Sequence, residues 1–151
     1  MFSKTCEYGI RAVIYISAKG SQENKIGIPT IGKNIEAPVQ FTAKILQTLV
    51  HNDIVSSQKG VNGGFYLNKQ QKQKQLIEVV RAIDGDKLFS GCGLGLKSCS
   101  EDEPCPLHDK FKAIRSSLKK MMEQTTIDEM SKMLKIGRGF LRVEQFGGNE
   151  K

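Results

Sequence analysis

The stretch IVSSQKGVNGGFYLN, residues 54–68, decides the fold of this chain. Two β-prone runs, 54–57 and 65–68, flank a glycine-rich turn, and this pattern predicts a β-hairpin. Glycines allow such a turn to bend tightly and to lie against a phosphate backbone, and Lys59 adds a positive charge. A nucleotide-binding glycine loop is the rival interpretation. It is disfavoured because a P-loop opens into a helix, whereas this turn opens into a strand.

Three predicted helices precede the hairpin, over residues 3–19, 30–36 and about 39–52. Ser3 or Thr5 can cap the first helix, and Gly20 ends it. Pro38 separates the second helix from the third, because the residue before a proline is disfavoured in helical geometry. Three helices followed by a hairpin are the layout of a winged helix-turn-helix.

The third helix has two contrasting faces. Its predicted apolar stripe consists of Phe41, Ile45, Leu46, Leu49 and Val50. The opposite face carries Gln40, Thr42, Ala43, Lys44, Gln47 and Thr48. Such side chains suit hydrogen bonds to base edges and phosphates, although an ordinary solvated face is the alternative for this helix alone.

Beyond the hairpin, residues 68–75 are predicted to be a solvated run, and helices are predicted at 76–85, 107–123 and 126–134. The fold class is therefore mostly α with a small β-hairpin wing. We expect a winged helix-turn-helix domain over 1–85, a cysteine-rich loop over 86–108, dimerisation helices over 109–135 and a flexible tail over 136–151. The long helix could pair with a second copy or pack on its own domain.

The charge of the 151-residue chain is unevenly distributed. The net charge is +7, and residues 1–75 hold 10 Lys/Arg against 4 Asp/Glu (+6), whereas residues 76–151 hold 13 against 12 (+1). A basic N-terminal half suggests an anionic partner. The apolar stretch Ala12–Ala18 is too short for a membrane span and lacks the layout of an export signal, so no membrane association is expected. The expected location is a reducing cytoplasm, where cysteines are more often ligands or reactive thiols than disulfides.

Four potential metal ligands lie close together in the sequence. Cys92, Cys99, Cys105 and His108 are separated by six, five and two residues in a polar, glycine-rich loop. Three thiolates and an imidazole can hold one metal centre. The wide spacing favours an iron–sulfur cluster and leaves structural zinc as a rival. Cys6 stands apart in the first helix and is expected in the core.

Catalytic patterns are missing from the sequence. No Ser/His/acid set, carboxylate pair or nucleotide loop is present, and His51 and His108 are the two histidines. The chain is therefore expected not to be an enzyme and to have no small-molecule substrate.

The combination of motifs is specific. The wing GVNGGFYL (60–67), the preceding IVSS (54–57) and the cysteine loop together resemble the Rrf-type regulators, the family of IscR, NsrR, RirA and the cluster-free CymR. The resemblance covers about residues 1–135. It implies a homodimeric bacterial transcription factor, here expected to be a repressor. It would bind a double-stranded DNA operator in response to an iron–sulfur cluster that reports iron or cluster supply, redox state or nitric oxide.

The resemblance also implies a ligand set. In the IscR branch, residues matching Cys92, Cys99, Cys105 and His108 hold a two-iron, two-sulfur cluster, and this chain has one extra residue in the first gap. In the NsrR branch, a carboxylate of the partner subunit is the fourth ligand of a four-iron, four-sulfur cluster, and Glu7 lies at that position. An acid that interacts with the helix dipole is the alternative interpretation of Glu7. The two-iron cluster is favoured and the four-iron cluster stays open.

The implied DNA contacts fall on the third helix and the wing. They are Gln40, Thr42, Ala43, Lys44 and Thr48 on the recognition helix, and Lys59, Asn62 and Gly63 on the wing. Lys59 matches a basic residue that enters the minor groove in relatives. Ala43 replaces an acidic residue of IscR, so the IscR operator does not transfer. A cluster-free regulator that senses through a thiol or a partner, as CymR does, is the alternative function, with structural zinc as a third.

Overall fold

A computed structural model describes residues 1–141 of the chain. Its elements are α1 (Lys4–Lys19), α2 (Ile28–Ile35), α3 (Val39–His51), β1 (Ser56–Gln58), β2 (Gly64–Tyr66), α4 (Lys69–Lys72), α5 (Leu76–Asp84), α6 (Lys87–Ser90), α7 (His108–Gln124) and α8 (Ile127–Lys135). The mostly helical fold with one small hairpin is confirmed. Most of the tail predicted as flexible, from residue 142 onward, lies outside the described residues. No helix of residues 1–141 combines the length and apolarity needed to cross a bilayer.

Helix α1 is the centre of the core. It packs against α2, α3, α5 and α8. Cys6, Ala12, Val13 and Ile16 on its inner face are completely buried, which confirms the core position predicted for Cys6. The Ser3 side chain caps the helix by accepting a hydrogen bond from the Cys6 amide at 3.0 Å.

Helices α2 and α3 form the helix-turn-helix. Helix α2 begins at Ile28, two residues before its predicted start, because a proline such as Pro29 is well tolerated in the first turn. It ends at Ile35, and the following residue, Glu36, caps it with φ of 56° and ψ of 43° in the left-handed region. Helix α3 packs directly on α2.

The hairpin is shifted by two residues from its predicted first strand. Ile54 and Val55 are 2% and 1% exposed and belong to the core, so pairing with β2 begins only at Ser56. The register joins Ser56 to Tyr66 and Gln58 to Gly64. Two backbone hydrogen bonds of 3.0 and 2.9 Å also join Ile26 to Phe65, so a residue from the segment between α1 and α2 extends the small sheet.

The run after the hairpin is structured where the sequence predicted only solvation. Residues 69–72 form the short helix α4, and Gln71 within it is 1% exposed. Helix α5 begins at Leu76 as predicted. A further short helix, α6, follows it and was not predicted.

Helices α7 and α8 differ in what they cover. Helix α8 turns back onto α1, with Ile127 completely buried, so this helix is part of the N-terminal core rather than a separate appendage. The Thr126 hydroxyl caps α8 by accepting a hydrogen bond from the Glu129 amide at 3.2 Å. On α7, Ile114 and Met121 are 64% and 52% exposed. Exposed apolar side chains therefore lie on α7, and Met133 of α8 is also 41% exposed.

Replacing Ile127 with Ala is expected to destabilise the protein strongly. The side chain is completely buried between α8 and α1, and large-to-small changes at such sites cost about 2–5 kcal/mol. Ile136, which is 66% exposed, supplies the matched control, because Ile136→Ala should change the free energy of unfolding by less than about 0.5 kcal/mol. Urea titration followed by circular dichroism measures both. Equal effects of the two substitutions would contradict the docking of α8 on the core.

Candidate functional site

The recognition helix predicted from the sequence, α3, presents a polar face to solvent. Gln40, Lys44 and Gln47 are exposed along this face, and Ala43 and Thr48 are half-buried at its edges. The Thr48 hydroxyl donates to the Lys44 carbonyl at 3.3 Å within the helix. Donors, acceptors and a single positive charge therefore face outward from α3.

The prediction that Thr42 belongs to this face is wrong. Thr42 is 1% exposed, and its hydroxyl donates to the Pro38 carbonyl at 3.0 Å. Thr42 lies three, four and seven residues before the buried Ile45, Leu46 and Leu49, so it shares their face of the helix.

Phe41, assigned to the apolar stripe from the sequence, is instead 54% exposed. An exposed aromatic ring on a recognition helix can contact a thymine methyl group. The sequence reasoning missed this candidate, although the spacing of Ile45, Leu46 and Leu49 contained enough information to place Thr42 inward and Phe41 outward.

Replacing Thr42 with Val is expected to leave affinity for duplex DNA within about twofold of wild type. The lost hydrogen bond to Pro38 should lower the free energy of unfolding by about 1 kcal/mol. Fluorescence anisotropy with a duplex that the wild-type protein selects from a random pool measures the affinity. Thr48→Val, half-buried on the predicted DNA face, is the comparison variant. A tenfold loss of affinity in Thr42→Val would restore Thr42 as a contact.

The wing projects beside α3. Lys59, Val61 and Asn62 at its tip are exposed, and Gly63 closes the turn by donating its amide to the Gly60 carbonyl at 3.0 Å. A groove of about 550 Å³ separates the wing from α3. Both elements line this groove, with Gln47, Val50 and His51 on one side and Lys59, Gly60 and Phe65 on the other. Helix α3 and the wing therefore border one concave surface, to which the polar face of α3 contributes Gln47.

The base of the wing requires a glycine at position 64. Its φ is +145°, and a Cβ atom there would lie 2.8 Å from the Ile26 carbonyl oxygen. Only a residue without a side chain permits this close approach to the Ile26 backbone.

The three loop cysteines converge, as the sequence predicted. The sulfur atoms of Cys92, Cys99 and Cys105 all lie within 4.8 Å of one another, and those of Cys92 and Cys105 are 3.7 Å apart. The His108 Nδ1 atom lies 3.3 Å from the Cys99 sulfur. Cys105 and His108 are each 9% exposed. The structure thus brings the three predicted cysteine ligands together at the start of α7 and places His108 beside one of them, Cys99.

The surrounding backbone supports this arrangement. The Leu94 amide donates to the Cys92 sulfur and the Cys105 amide to the Cys99 sulfur, each at 3.4 Å. Oriented amides of this kind stabilise negative charge on sulfur. The loop also passes closely over α7, because a Cβ atom on Gly93 would lie 2.3 Å from the Phe111 ring.

The site favours thiolate on one sulfur in particular. Hydrogen bonds from the Leu96 and Leu94 amides lower the pKa of the Cys92 thiol to about 7. Burial instead raises the pKa of the neighbouring Cys105 thiol. Cys6 behaves differently from both, because burial and the nearby Asp84 carboxylate raise the pKa of its thiol to about 12. Cys6 is therefore the least reactive of these three thiols.

The donor set fits a metal centre. Two thiolates on one tetrahedral metal lie about 3.8 Å apart when each metal–sulfur bond is about 2.3 Å. The separation of 3.7 Å between the Cys92 and Cys105 sulfurs matches this value. Three sulfurs and an imidazole nitrogen suit zinc and iron–sulfur centres alike.

Glu7 occupies a different place in the chain. It lies in the first turn of α1 and pairs with Lys4 at 3.3 Å. The group of mutually close ligand atoms found within residues 1–141 comprises the three loop cysteines and does not contain Glu7. In a single chain, Glu7 therefore has the arrangement of an acid at a helix N-terminus.

Most of the chain matches a known protein family. Residues 2–133 match the family model Rrf2, described as an iron-dependent transcriptional regulator. The chain belongs to the Rrf2 family. This result confirms the family resemblance predicted from the wing and the cysteine loop.

Relatives of the Rrf2 chain carry regulator names. A protein of Aquifex aeolicus, named as a proposed HTH-type transcriptional regulator, is 27% identical over 132 residues, which cover 86% of this chain and 90% of that protein. The HTH-type transcriptional regulator IscR of Pectobacterium atrosepticum is 23% identical over 123 residues, covering 82% of this chain and 74% of IscR.

Solved structures share the fold. CymR, the global cysteine regulator of B. subtilis, superposes with a TM-score of 0.70 at 18% identity and covers 87% of this chain and 96% of CymR. The IscR structure from T. potens also has a TM-score of 0.70, at 15% identity, and covers 97% of this chain and 96% of that IscR.

This Rrf2 chain is accordingly a DNA-binding transcriptional regulator and not an enzyme. The winged helix-turn-helix and the converging cysteines are its two functional features.

Proposed function

We propose that this protein is a homodimeric repressor of the cytoplasm whose operator binding is modulated by an iron–sulfur cluster. The convergence of three thiols at the start of α7, with the His108 imidazole beside Cys99, carries the proposal. The description of the Rrf2 family as iron-dependent supports iron over zinc.

Cys92, Cys99, Cys105 and His108 are the proposed ligands. The four belong to one chain, the three cysteine sulfurs lie together and His108 lies beside Cys99, which favours the two-iron, two-sulfur cluster. A four-iron, four-sulfur cluster completed by Glu7 of the partner subunit is the alternative. When bound, such a cluster supplies a group that iron limitation, oxidants or nitric oxide can alter.

The chain itself explains how this site can affect DNA binding. Cys92 and Cys99 belong to the loop, whereas His108 opens α7, so shared ligation fastens the loop to that helix. At the other end of α7, the Thr125 carbonyl accepts a hydrogen bond from the Leu76 amide at 2.9 Å. Helix α7 thereby connects the cysteine site to the unit that carries α3 and the wing.

A dimer is supported by the exposed apolar stripe of α7, which includes Ile114 and Met121. Burying such a stripe against a second copy is favourable, and a two-fold dimer presents two recognition helices. Adjacent major-groove half-sites lie about 34 Å apart, so a small rotation of the protomers is enough to lose register. Analytical ultracentrifugation of the purified protein should show twice the mass of one chain.

The proposed DNA contacts are Gln40, Ala43, Lys44 and Thr48 on α3 together with Lys59, Asn62 and Gly63 on the wing. The common groove between the two elements supports their action on one DNA surface.

A cluster-free regulator is the second candidate function. Two observations favour it: the fold is shared with CymR, and the Cys92 and Cys105 sulfurs lie 3.7 Å apart, so that an external oxidant that takes up two electrons and two protons can join them in a disulfide. Structural zinc is the third candidate.

Anaerobic purification followed by absorption and Mössbauer spectroscopy tests the proposal. A coloured protein that contains iron and sulfide supports the cluster, and the Mössbauer spectrum identifies its type. A colourless protein with one zinc ion per chain supports zinc, and a colourless metal-free protein supports thiol sensing. The spectra of His108→Ala and Glu7→Ala identify the fourth ligand, because only substitution of the true ligand should change them.

A further inference from the structure

Gln71 is buried inside a segment that otherwise faces solvent. It is 1% exposed, whereas its neighbours Gln70 and Gln73 are exposed. A buried amide must satisfy its donors and acceptors within the protein. The partners of Gln71 therefore indicate what it holds in place.

Those partners lie on three segments around the base of the wing. The Gln71 Oε1 atom accepts hydrogen bonds from the Ser56 hydroxyl and from the Asn68 amide, both at 2.9 Å. The Gln71 Nε2 atom donates to the carbonyl and to Oδ1 of Asp53, both at 3.3 Å. Ser56 begins β1, Asn68 follows β2, and Asp53 lies in the turn after α3. One side chain thus links both ends of the hairpin to the end of the recognition helix.

The helix that carries Gln71 is itself held in place. The Gln71 amide donates to the Asn68 side chain at 2.8 Å, which completes a capping box. Backbone hydrogen bonds then fasten the next residues to the turn between α7 and α8, from Ile127 to Lys74 at 3.0 Å and from Leu76 to Thr125 at 2.9 Å. Gln71 therefore projects from a fixed support.

We propose that Gln71 is a positioning residue that sets the orientation of the wing relative to α3, so that Lys59 and the recognition helix reach DNA together. The inference rests on the proposed contact between Lys59 and DNA. The hairpin has three paired positions on each strand and one further bridge to Ile26, and so small a sheet is only marginally ordered by its own hydrogen bonds. A rotation at its base would displace the tip, and Gln71 links this base to the turn after α3.

A purely local role as a helix cap is the alternative, and three substitutions separate the two roles. Gln71→Met removes all the side-chain hydrogen bonds at nearly constant volume. Gln71→Glu keeps the oxygen that accepts from Asn68 and Ser56 but loses the donor to Asp53. Asn68→Ala removes the cap of α4 and leaves the bonds from Gln71 to Ser56 and Asp53 possible, so it is the matched control.

The measurement is binding to a duplex that the wild-type full-length protein selects from a random pool, at several salt concentrations. Gln71→Met should weaken binding about tenfold, equivalent to about 1.4 kcal/mol. The slope of log K against log salt should fall by about 0.9 if one phosphate contact is lost. Gln71→Glu should weaken binding as well, whereas Asn68→Ala should leave both affinity and slope unchanged.

A double-mutant cycle of Gln71→Met and Lys59→Ala gives the decisive readout. A loss of global stability alone would not make the effects of the two substitutions on DNA affinity depend on each other. Lys59→Ala should weaken binding by the wild-type protein about tenfold but binding by Gln71→Met only about twofold. If Lys59→Ala costs the same in both backgrounds, the role of Gln71 is refuted while the wing contact stands. If Lys59→Ala has no effect in the wild type, the wing contact itself is refuted and the Gln71 proposal falls with it.

A milder variant covers the case in which Gln71→Met does not fold. Ser56→Ala removes a single hydrogen bond of the same set and should weaken binding about threefold, in keeping with the modest net value of one such bond. Unchanged affinity and salt slope in a folded Ser56→Ala protein, together with wild-type behaviour of Gln71→Glu, would overturn the proposal.

Discussion

Replacing Cys105 with Ala is expected to yield a colourless protein that has lost its iron and no longer changes its DNA affinity with cluster status. Cys105 is the most buried of the three converging cysteines, and its sulfur lies 3.7 Å from that of Cys92. A two-iron, two-sulfur cluster needs four protein ligands, two on each tetrahedral iron. Removing the Cys105 sulfur leaves three, namely two thiolates and one imidazole.

The effect on DNA follows from coupling between the two sites. Coupling free energies in allosteric proteins are about 1–3 kcal/mol, which corresponds to a change in affinity of about 5- to 150-fold. Cys105→Ala and the triple variant of Cys92, Cys99 and Cys105 should therefore bind DNA with one common affinity. That affinity should equal the value for wild-type protein from which iron has been removed by a chelator.

Cys6→Ala is the control for this experiment. Cys6 is completely buried on α1 and is not among the three converging cysteines. The variant should keep the colour, the iron and the response, with a loss of stability of about 1 kcal/mol. Iron content by colorimetric assay and affinity by anisotropy, both under anaerobic conditions, provide the two readouts.

Two results would count against this scheme in different ways. Full iron in Cys105→Ala would show that the ligand set is wrong. Loss of iron without any change in DNA affinity would show that the cluster of the wild-type protein is not the sensor.

The sequence predicted the elements that depend on local pattern. The apolar period placed α1, α5 and α7 within a residue or two of their observed bounds, because one face of each helix packs on or near the core and the pattern repeats along it. The convergence of the three loop cysteines was also predicted, since Cys92 and Cys105 lie only thirteen positions apart and the loop between them has to fold back on itself.

Other features depend on contacts that no local pattern contains. The burial of Gln71 arises from bonds to Ser56 and Asp53, which are 15 and 18 residues away in sequence. The pairing of Ile26 with Phe65 is likewise a long-range contact, so a residue in a polar turn joins the sheet.

The prediction of which side chains of α3 face the core failed for a different reason. Phe41 was assigned inward because it is apolar and Thr42 outward because it is polar. The spacing to Ile45 and Leu46 required the opposite, and a threonine can be buried on a helix when its hydroxyl bonds to a carbonyl in the preceding turn. Helical position is therefore the better guide than residue type at the edge of an apolar stripe.

Replacing Lys44 and Lys59 with Ala, singly and together, is expected to cause the largest losses of DNA affinity available on the predicted interface. Lys44 is exposed on α3 and Lys59 on the wing, and the two elements line one groove. Hydrogen bonds to a charged group contribute about 1.5–3 kcal/mol, so each substitution should weaken binding at least about tenfold. The double variant should lose about a hundredfold if the two contacts act independently.

The salt dependence distinguishes a contact with phosphate from a general effect of charge. Each phosphate contact that is lost should lower the slope of log K against log salt by about 0.9. Lys120 on α7 is the matched control, because it is equally cationic and exposed but lies outside α3 and the wing. Lys120→Ala should keep the wild-type slope and nearly the wild-type affinity. If Lys120→Ala instead weakens binding as much as Lys44→Ala does, net charge governs the affinity and the assignment of the DNA surface to α3 and the wing is wrong.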